Sequence, residues 1–350
     1  MKLLGKKLLL VIALGAPGAM AHHGPVTNPG LYLTDEVVEL RGELTEVLWR
    51  NPHVRGRVAV VGGDGQEAIW EVELGPAPGS FERRDLAPED FLGDVRIAGY
   101  VSRHGANELG ALHILLPSGE EIAQANRAPR WSNEVVPRGP RDDTLDPALV
   151  AEARRTEEGV FRTWGRTQGT DIEPQLEGYE LTERGRELNA AFDAVVHDLE
   201  VVECRQGMPN AMFDPVTMQI TDEGDYIGIH IAEYNTRRTI HKEGTAGAAE
   251  PVAGATGHSV GRMDGGDLVI TTTHIDWPYY SELGTPQSDR ASYVERLSVA
   301  EDGEGLNYSI TITDPVVFPG SVTLETFRAW TPGAQLPPYD CVLEWEDASD

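Results

Sequence analysis

Residues 258–275 read HSVGRMDGGDLVITTTHI, a stretch in which two alternating runs flank the turn sequence DGGD at 264–267. Alternation of apolar and polar residues is typical of a half-buried β-strand, and a glycine-rich turn between two such runs predicts a tight β-hairpin. The same pattern recurs from Cys204 onward. It predicts eight strands, at residues 226–233, 237–241, 258–263, 268–275, 293–299, 306–313, 322–330 and 339–344.

Eight antiparallel strands without crossover helices close most naturally into a barrel. We therefore expect an up-and-down, lipocalin-like barrel over residues 204–346, with an interior wide enough for one small ligand. Tyr226, His230 and Tyr234 share one face of the first predicted strand, because side chains alternate along a strand. Either this face or the opposite one lines the interior.

The N-terminal part of the chain also has the pattern of β-strands. About five strand patterns follow one another between residues 37 and 116, and Gly42 stands in mid-strand, where a small barrel bends. We expect a compact OB-like antiparallel barrel over residues 22–125. Prolines and charges without periodicity predict a linker at 126–146, and apolar residues spaced by three and four predict a helical connector at 147–203. The expected fold class is therefore mainly β.

The composition restricts the classes of partner. The chain has 350 residues, a length that favours two domains, and 40% of them are hydrophobic, as in globular proteins. It carries 57 acidic and 29 basic residues, for a formal charge of −28. A surface this acidic repels a phosphate backbone, so we expect no nucleic-acid partner.

The N-terminus has the features of an export signal. Three lysines within the first seven residues precede the apolar run 8–14, and a small-x-small motif ends at Ala21. This pattern predicts a signal peptide at residues 1–21 and a mature protein in the periplasm. No other segment approaches the length of uncharged apolar sequence that a membrane span requires, so we expect no such span.

Cys204 and Cys341 are the two cysteines of the chain. In an oxidising compartment, such a pair is expected to form one disulfide bond. A metal site or a redox-active pair would require closer spacing, as in Cys-x-x-Cys.

Two sets of motifs resemble known bacterial proteins. HHG at 22–24, the strand 38–42 and WRNPH at 49–53 resemble a family of exported proteins of unknown function, over about residues 22–123. The C-terminal part resembles the barrel that is fused to this family in many environmental bacteria, through the motifs at 207–209, 238–241, 257–262 and 314–315. The resemblance implies export and a two-part architecture, and it implies no reaction. The glycine- and alanine-rich stretch 245–256 is longer than the usual connection.

The new N-terminus is a candidate metal site. Cleavage after Ala21 would give His22 both a free α-amine and an imidazole, the pairing seen in copper histidine braces. His53 is the candidate third nitrogen ligand. Neutral imidazoles suit copper and zinc, and the sequence predicts no other cofactor.

Polar residues of the predicted large barrel form a second candidate site. A histidine beside a carboxylate is suited to moving protons, so His258 and His274 are the candidate acid and base, oriented by Asp276 or Asp314. An arginine inside a closed barrel must meet an anionic ligand or form an internal salt bridge. The other alternative is that these side chains face water, as half of all strand positions do. The candidate ligand-binding residues are Tyr234, Arg238, His241, Trp277 and Tyr279.

Three functions are compatible with these residues. The first is a periplasmic binding protein that holds a small apolar or aromatic molecule in the C-terminal barrel. The alternative is a cofactor-independent lyase, isomerase or hydratase that uses histidine and aspartate chemistry inside the same barrel. The third is a copper or zinc protein centred on His22. The sequence contains no serine-hydrolase elbow, zinc-protease, P-loop or dinucleotide signature.

Overall fold

Two closed β-sheets dominate the structure, which confirms the mainly β fold class. The computed structural model describes residues 30–105, 107–124, 127–137, 145–168, 171–197 and 203–342. Of the fifteen strands within these ranges, fourteen form two rings, which we call the small barrel and the large barrel. The predicted signal peptide lies outside the described residues. No helix in the described ranges has both the length and the apolar character needed to cross a membrane.

The small barrel has the strand connectivity of an OB fold. The long strand β1 pairs with β2 on one side and β4 on the other, and a parallel contact between β3 and β5 closes the ring. A short sixth strand extends the sheet from β5. The strands are β1 (Tyr32–Leu48), β2 (Val54–Val61), β3 (Glu67–Gly75), β4 (Gly93–Ser102), β5 (Glu108–Leu115) and β6 (Glu121–Ala123).

Gly42 allows β1 to pair with β2 on one edge and with β4 on the other. A Cβ atom at this position would lie 2.1 Å from the carbonyl oxygen of Ala59 on β2, so any side chain would prevent the close approach of the two strands. Two register shifts, at 33–38 and 44–46, bend β1 further. The enclosed core is apolar, and its largest side chains come from the strands, from the short helix α1 (Pro78–Glu82) and from the turn before β4: Leu44, Leu74, Phe81, Phe91 and Ile97.

The segment after β6 packs on the small barrel over residues 127–137, within the predicted linker. The buried carboxylate of Glu121 accepts hydrogen bonds from the backbone N–H groups of Arg130, Trp131 and Ser132, at 2.6, 2.7 and 2.9 Å. His113 contacts the same carboxylate through Nδ1, at 2.9 Å. One buried carboxylate therefore fixes a stretch whose composition resembles that of a free linker.

The large barrel has nine strands, one more than expected. The additional strands are β7, which lies in the predicted connector, and β8, whereas predicted strand 339–344 is absent from the ring over its described part. Six-residue β7 shows no clear alternation, and prolines at 337 and 338 precede the missing strand. The strands are β7 (Thr163–Gln168), β8 (Met218–Asp222), β9 (Tyr226–Ile231), β10 (Thr236–Lys242), β11 (His258–Asp264), β12 (Asp267–Thr273), β13 (Ser292–Val299), β14 (Gly305–Thr313) and β15 (Val322–Trp330).

The odd number of strands requires one parallel pair. The nine strands follow sequence order around the ring. Eight neighbouring pairs of strands are antiparallel, and one pair, β10 with β11, is parallel. A parallel pair cannot be joined by a hairpin, so residues 243–257 form a crossover between these strands. The quoted hairpin at 264–267 is confirmed, with Asp264 paired to Asp267 and Gly265 at a φ of +66°.

Short helices connect the barrels and cap the large one. The first connector helix is capped at its N-terminus, because Asp146 Oδ1 accepts the N–H of Ala148 at 2.8 Å. Within the predicted connector, two short helices lie on either side of Phe192. The remaining helices are α2 (Pro147–Thr156), α3 (Ile172–Leu176), α4 (Glu183–Ala190), α5 (Ala194–His197), α6 (Asn210–Phe213) and α7 (Ala246–Ala249).

The predicted disulfide between Cys204 and Cys341 is confirmed. It anchors a segment after the last barrel strand, residues 339–342, which we call the C-terminal strap. The strap pairs with the small barrel: Asn51 N donates to Asp340 O at 3.1 Å, and Val342 N donates to Asn51 O at 2.9 Å. The disulfide therefore ties the entry of the large barrel to a segment that holds the small one.

Candidate functional site

The interior of the large barrel contains a buried ion pair. Arg238 on β10 contacts Glu295 on β13 through both terminal nitrogens, at 2.6 and 2.5 Å, and both residues are at most 2% exposed. Three hydroxyl groups complete the network. Ser259 and Thr272 accept hydrogen bonds from Arg238 at 2.9 and 2.7 Å, and Tyr308 donates one to Glu295 at 2.9 Å.

This network shows that Arg238 and Glu295 lie on the strand faces that line the interior of the large barrel. Burial opposes the charge of Arg238, but the adjacent carboxylate of Glu295 raises the pKa of the guanidinium above its ordinary value. Of the alternatives for Arg238, the internal salt bridge is therefore the one that the structure contains. Large side chains pack around the ion pair and occupy the barrel interior, among them Trp164, Met212, Phe213, Tyr293 and Tyr308.

A second buried arginine joins β15 to the segment before β8. Arg328 is 1% exposed and donates hydrogen bonds to four backbone carbonyls. Burial lowers the pKa of this guanidinium to about 10. The four acceptors belong to Gly165, Met212, Asp214 and Val216. Arg328 therefore fixes a segment of the chain for which the sequence shows no motif.

The three candidate histidines lie on the outside of the large barrel, not inside it. His258 alternates along β11 with Ser259, which contacts Arg238 in the interior, so His258 points outward. Its ring is stacked on His241 with centroids 5.3 Å apart, and it meets His274 edge-on at 6.5 Å. The sequence therefore identified residues that are close together and left open which side of the sheet they occupy, and the structure has them on the outside.

The two candidate aspartates form hydrogen bonds within the loops of the large barrel. Asp314 is 1% exposed and accepts hydrogen bonds from Tyr280 and from the hydroxyl and N–H of Ser288, at 2.9, 2.6 and 2.9 Å. It also accepts the N–H of Val316 at 3.1 Å. Asp276 is exposed, and its N–H donates to the crossover. The described contacts of both aspartates thus differ from those of a carboxylate that orients a catalytic histidine, and their proposed catalytic roles stay predictions.

The candidate aromatic residues pack against neighbouring segments. Tyr279 lies 4.9 Å from Phe192 of the connector, measured between ring centroids, and Tyr234 lies 5.3 Å from Tyr339 of the C-terminal strap. Trp277 is buried against Gly207, with Arg205 over its ring. Their positions fix loops around the large barrel.

His53 is held by a carboxylate on the small barrel. Its Nδ1 lies 3.3 Å from Glu73, which also accepts a hydrogen bond from the Tyr32 hydroxyl at 2.5 Å. Burial opposes the charge of Glu73, but His53 and Tyr32 lower its pKa below the ordinary value. His22, the first expected metal ligand, lies outside the described residues. Among the residues that are described, no group of three or more His, Cys, Asp or Glu side chains is arranged to hold a metal ion.

An open groove lies on the small barrel, at a place that the sequence did not indicate. Its volume is about 650 Å³, and it lies between β1, β2 and β3 and the loop from β4 to β5. OB folds bind their ligands on this part of the barrel. The lining residues are Thr45, Glu46, Arg57, Ile69, Glu71, Gly105, Asn107 and Glu108.

Acidic side chains dominate the groove. Arg57 is paired with Glu46 at 3.3 Å and with Glu71 at 3.4 Å, and both pairs are partly exposed. Glu108 stands beside Glu71 in the parallel register of β3 and β5. Like charges on neighbouring strands repel each other, so the groove favours a positively charged occupant. The signal for this groove in the sequence is the set of outward polar positions in the predicted strands, but no motif links these positions.

Comparison with known proteins agrees with the N-terminal resemblance. Residues 10–109 match a family described as "Family of unknown function (DUF6152)", and this match includes all eight residues of the groove. No curated protein matches the chain. The match covers less than half of the chain, and it supplies no activity.

Proposed function

We propose that this protein is a periplasmic binding protein whose ligand is a small organic cation, held in the groove of the small barrel. The observation that carries the proposal is a concave site lined by three carboxylates and one guanidinium on the ligand-binding face of an OB fold. The export signal and the disulfide support the periplasmic location.

The lining suits a protonated amine with a short apolar part. Glu71 and Glu108 offer charged acceptors, Asn107 and Thr45 offer neutral polar groups, and Ile69 is 45% exposed within the groove. The formal charge of −28 raises the local concentration of cations. The same charge disfavours the oligonucleotides that many OB folds bind.

The large barrel is the scaffold in this proposal. Its described interior holds the Arg238–Glu295 pair and large side chains of its own, so we place the ligand on the small barrel and not in the large one, where the sequence predicts a small apolar ligand. The acid–base alternative also gains no support, because His258 and His274 lie outside the barrel and Asp314 holds a turn.

Titration calorimetry with a panel of amines tests the proposal. The probes are 1,4-diaminobutane, spermidine and tetramethylammonium, with benzoate and 8-anilinonaphthalene-sulfonate as anionic and apolar controls. We expect a cation of this panel to bind and Glu108→Gln to weaken its binding about three- to tenfold, by removal of one charged acceptor.

Glu301→Gln is the matched control, because it removes the same charge from an exposed turn of the large barrel. The affinity of Glu301→Gln for the cation should equal that of the wild type. Equal losses in Glu108→Gln and Glu301→Gln would mean that the cation responds only to the overall charge, and absence of binding by every cation would contradict the proposal directly.

A further inference from the structure

The crossover of the large barrel covers a cluster of histidines. Residues 243–257 connect the parallel strands β10 and β11, and helix α7 in this segment lies against His241. A Cβ atom on Gly247 would be 2.2 Å from Nδ1 of His241, so backbone and imidazole are in direct contact. The glycine- and alanine-rich composition of the crossover therefore permits close packing on the ring.

His258 follows the crossover directly, as the first residue of β11. It is 8% exposed, and its Nε2 atom has no hydrogen-bond partner within the described part of the chain. Its neighbours are the stacked ring of His241 and the edge of His274. Buried polar atoms are normally hydrogen-bonded, so an unpartnered ring nitrogen at this place is unusual.

Backbone hydrogen bonds hold the crossover closed, together with the packing of Ala255 against the core of the large barrel. Gly254 donates to His274 O at 3.3 Å and accepts from Asp276 N at 2.8 Å, and Gly257 donates to Gly254 O at 2.9 Å. Ala255 O accepts the N–H of Met208 at 2.9 Å. A segment fastened by isolated backbone hydrogen bonds opens at a lower free energy than the strands of the ring.

The charged groups around His258 are engaged elsewhere or exposed. On the crossover, Glu243 pairs with Arg262 of β11 at 3.6 Å, and Glu250 is exposed. On β10, Lys242 pairs with Asp222 at 2.6 Å. After β12, His274 and Asp276 are exposed. Within the described chain, none of these carboxylates is hydrogen-bonded to His258.

We propose that His258 is an acid-sensitive latch, and that its protonation releases residues 243–257 from the outer face of the large barrel. In the closed arrangement, a ring protonated on both nitrogens would carry a buried positive charge with no acceptor at Nε2, beside the rings of His241 and His274. Opening the crossover hydrates the ring. This inference does not depend on the groove of the small barrel.

The sign of the pH dependence follows from proton uptake on opening. In this latch a proton is taken up when the crossover opens, so the closed form is favoured at high pH. An exposed histidine titrates at about pH 6.5, and a single proton changes the opening equilibrium at most tenfold per pH unit below that value.

Hydrogen exchange of backbone amides tests the latch in the full-length protein. Between pH 7.5 and 5.5 we expect the protection factors of the Gly254, Gly257 and Asp276 amides to fall about tenfold. Amides of the β13–β14 pair should keep their protection. His258→Gln removes the titrating group and should abolish the fall, whereas His230→Gln, a change at another histidine of the barrel, should leave it intact.

Unchanged protection in the wild type, or the same fall in His258→Gln, would overturn the proposal. Should His258→Gln fail to fold, the ring signals of His258 in wild-type NMR spectra provide the test. Their titration midpoint must coincide with the midpoint for loss of amide protection, and two distinct midpoints would overturn the latch.

Discussion

The two barrels use charge in opposite ways. The large barrel encloses the Arg238–Glu295 pair and surrounds it with three hydroxyl groups, whereas the core of the small barrel is apolar and its Arg57 lies in an open groove. A buried ion pair requires fixed partners and fixes the strands that carry them. Charges at a groove surface stay hydrated and remain accessible to a ligand. In the proposed function, the large barrel is therefore the rigid unit and the small barrel the binding unit.

The largest effect that would test this contrast comes from breaking the buried pair. Arg238→Met should destabilise the protein by about 3–5 kcal/mol, because Glu295 is then buried and unpaired. Arg57→Met, which breaks exposed pairs in the small barrel, should cost less than about 1 kcal/mol. Urea unfolding of both variants measures the difference, and similar losses would contradict the contrast.

A double variant sharpens the same prediction. Arg238→Met with Glu295→Met replaces the ion pair by apolar side chains of similar size, and it should recover much of the stability lost in Arg238→Met. Failure to recover would show that the hydroxyl network, and not the unpaired charge, accounts for the loss.

The disulfide tests how the two barrels are joined. Cys204→Ser with Cys341→Ser should lower stability by about 2–4 kcal/mol, since the closed loop is long, and should free the C-terminal strap. We expect hydrogen exchange to accelerate at the amides of Asn51 and Val342, which bond across the two units, but not inside the strands of the large barrel. Unchanged exchange at Asn51 would show that the strap holds without its covalent anchor.

The smallest effect concerns the acid stability of the small barrel. Burial opposes the charge of Glu121, but the N–H groups of Arg130, Trp131 and Ser132 and the ring of His113 lower its pKa. A carboxylate whose pKa is depressed by folding contributes stability above its unfolded value of about 4.3, and the contribution is lost as pH falls through the folded value.

Glu121→Gln should therefore cost about 1–2 kcal/mol at pH 7 and flatten the acid unfolding curve of the small barrel. Glu120→Gln is the matched control, because it changes the adjacent glutamate, which extends away from this cluster. A steep acid transition retained in Glu121→Gln would assign the acid sensitivity to another group.

Local sequence patterns predicted most strands of the large barrel. Alternation identified seven of its strands, and the DGGD turn identified the hairpin between β11 and β12. The sequence did not predict strand β7, because its six residues follow no period and its pairing with β15 spans more than 150 residues. Residues 339–342 carry a strand-like pattern but pair with Asn51 of the small barrel, a partner that no local rule identifies.

The candidate site was less predictable than the fold. The sequence identified Arg238 as a group that needs an anionic partner, but Glu295 lies 57 residues away on another strand. The proximity of His241, His258 and His274 depends on the parallel pair and on the crossover above it. The groove brings together eight residues between positions 45 and 108, from four strands and a loop, with no common motif among them.

The sequence by itself determined the β class, the hairpins, the pair of cysteines and the need for a partner to any buried arginine. These properties depend on neighbours in the chain, where backbone geometry and the alternation of side chains act directly. The tertiary structure alone decided the ring of nine strands, the side of the sheet that faces inward, the partner of Arg238 and the place of the groove. A strand has two faces of equal geometry, and only closure of the ring buries one of them.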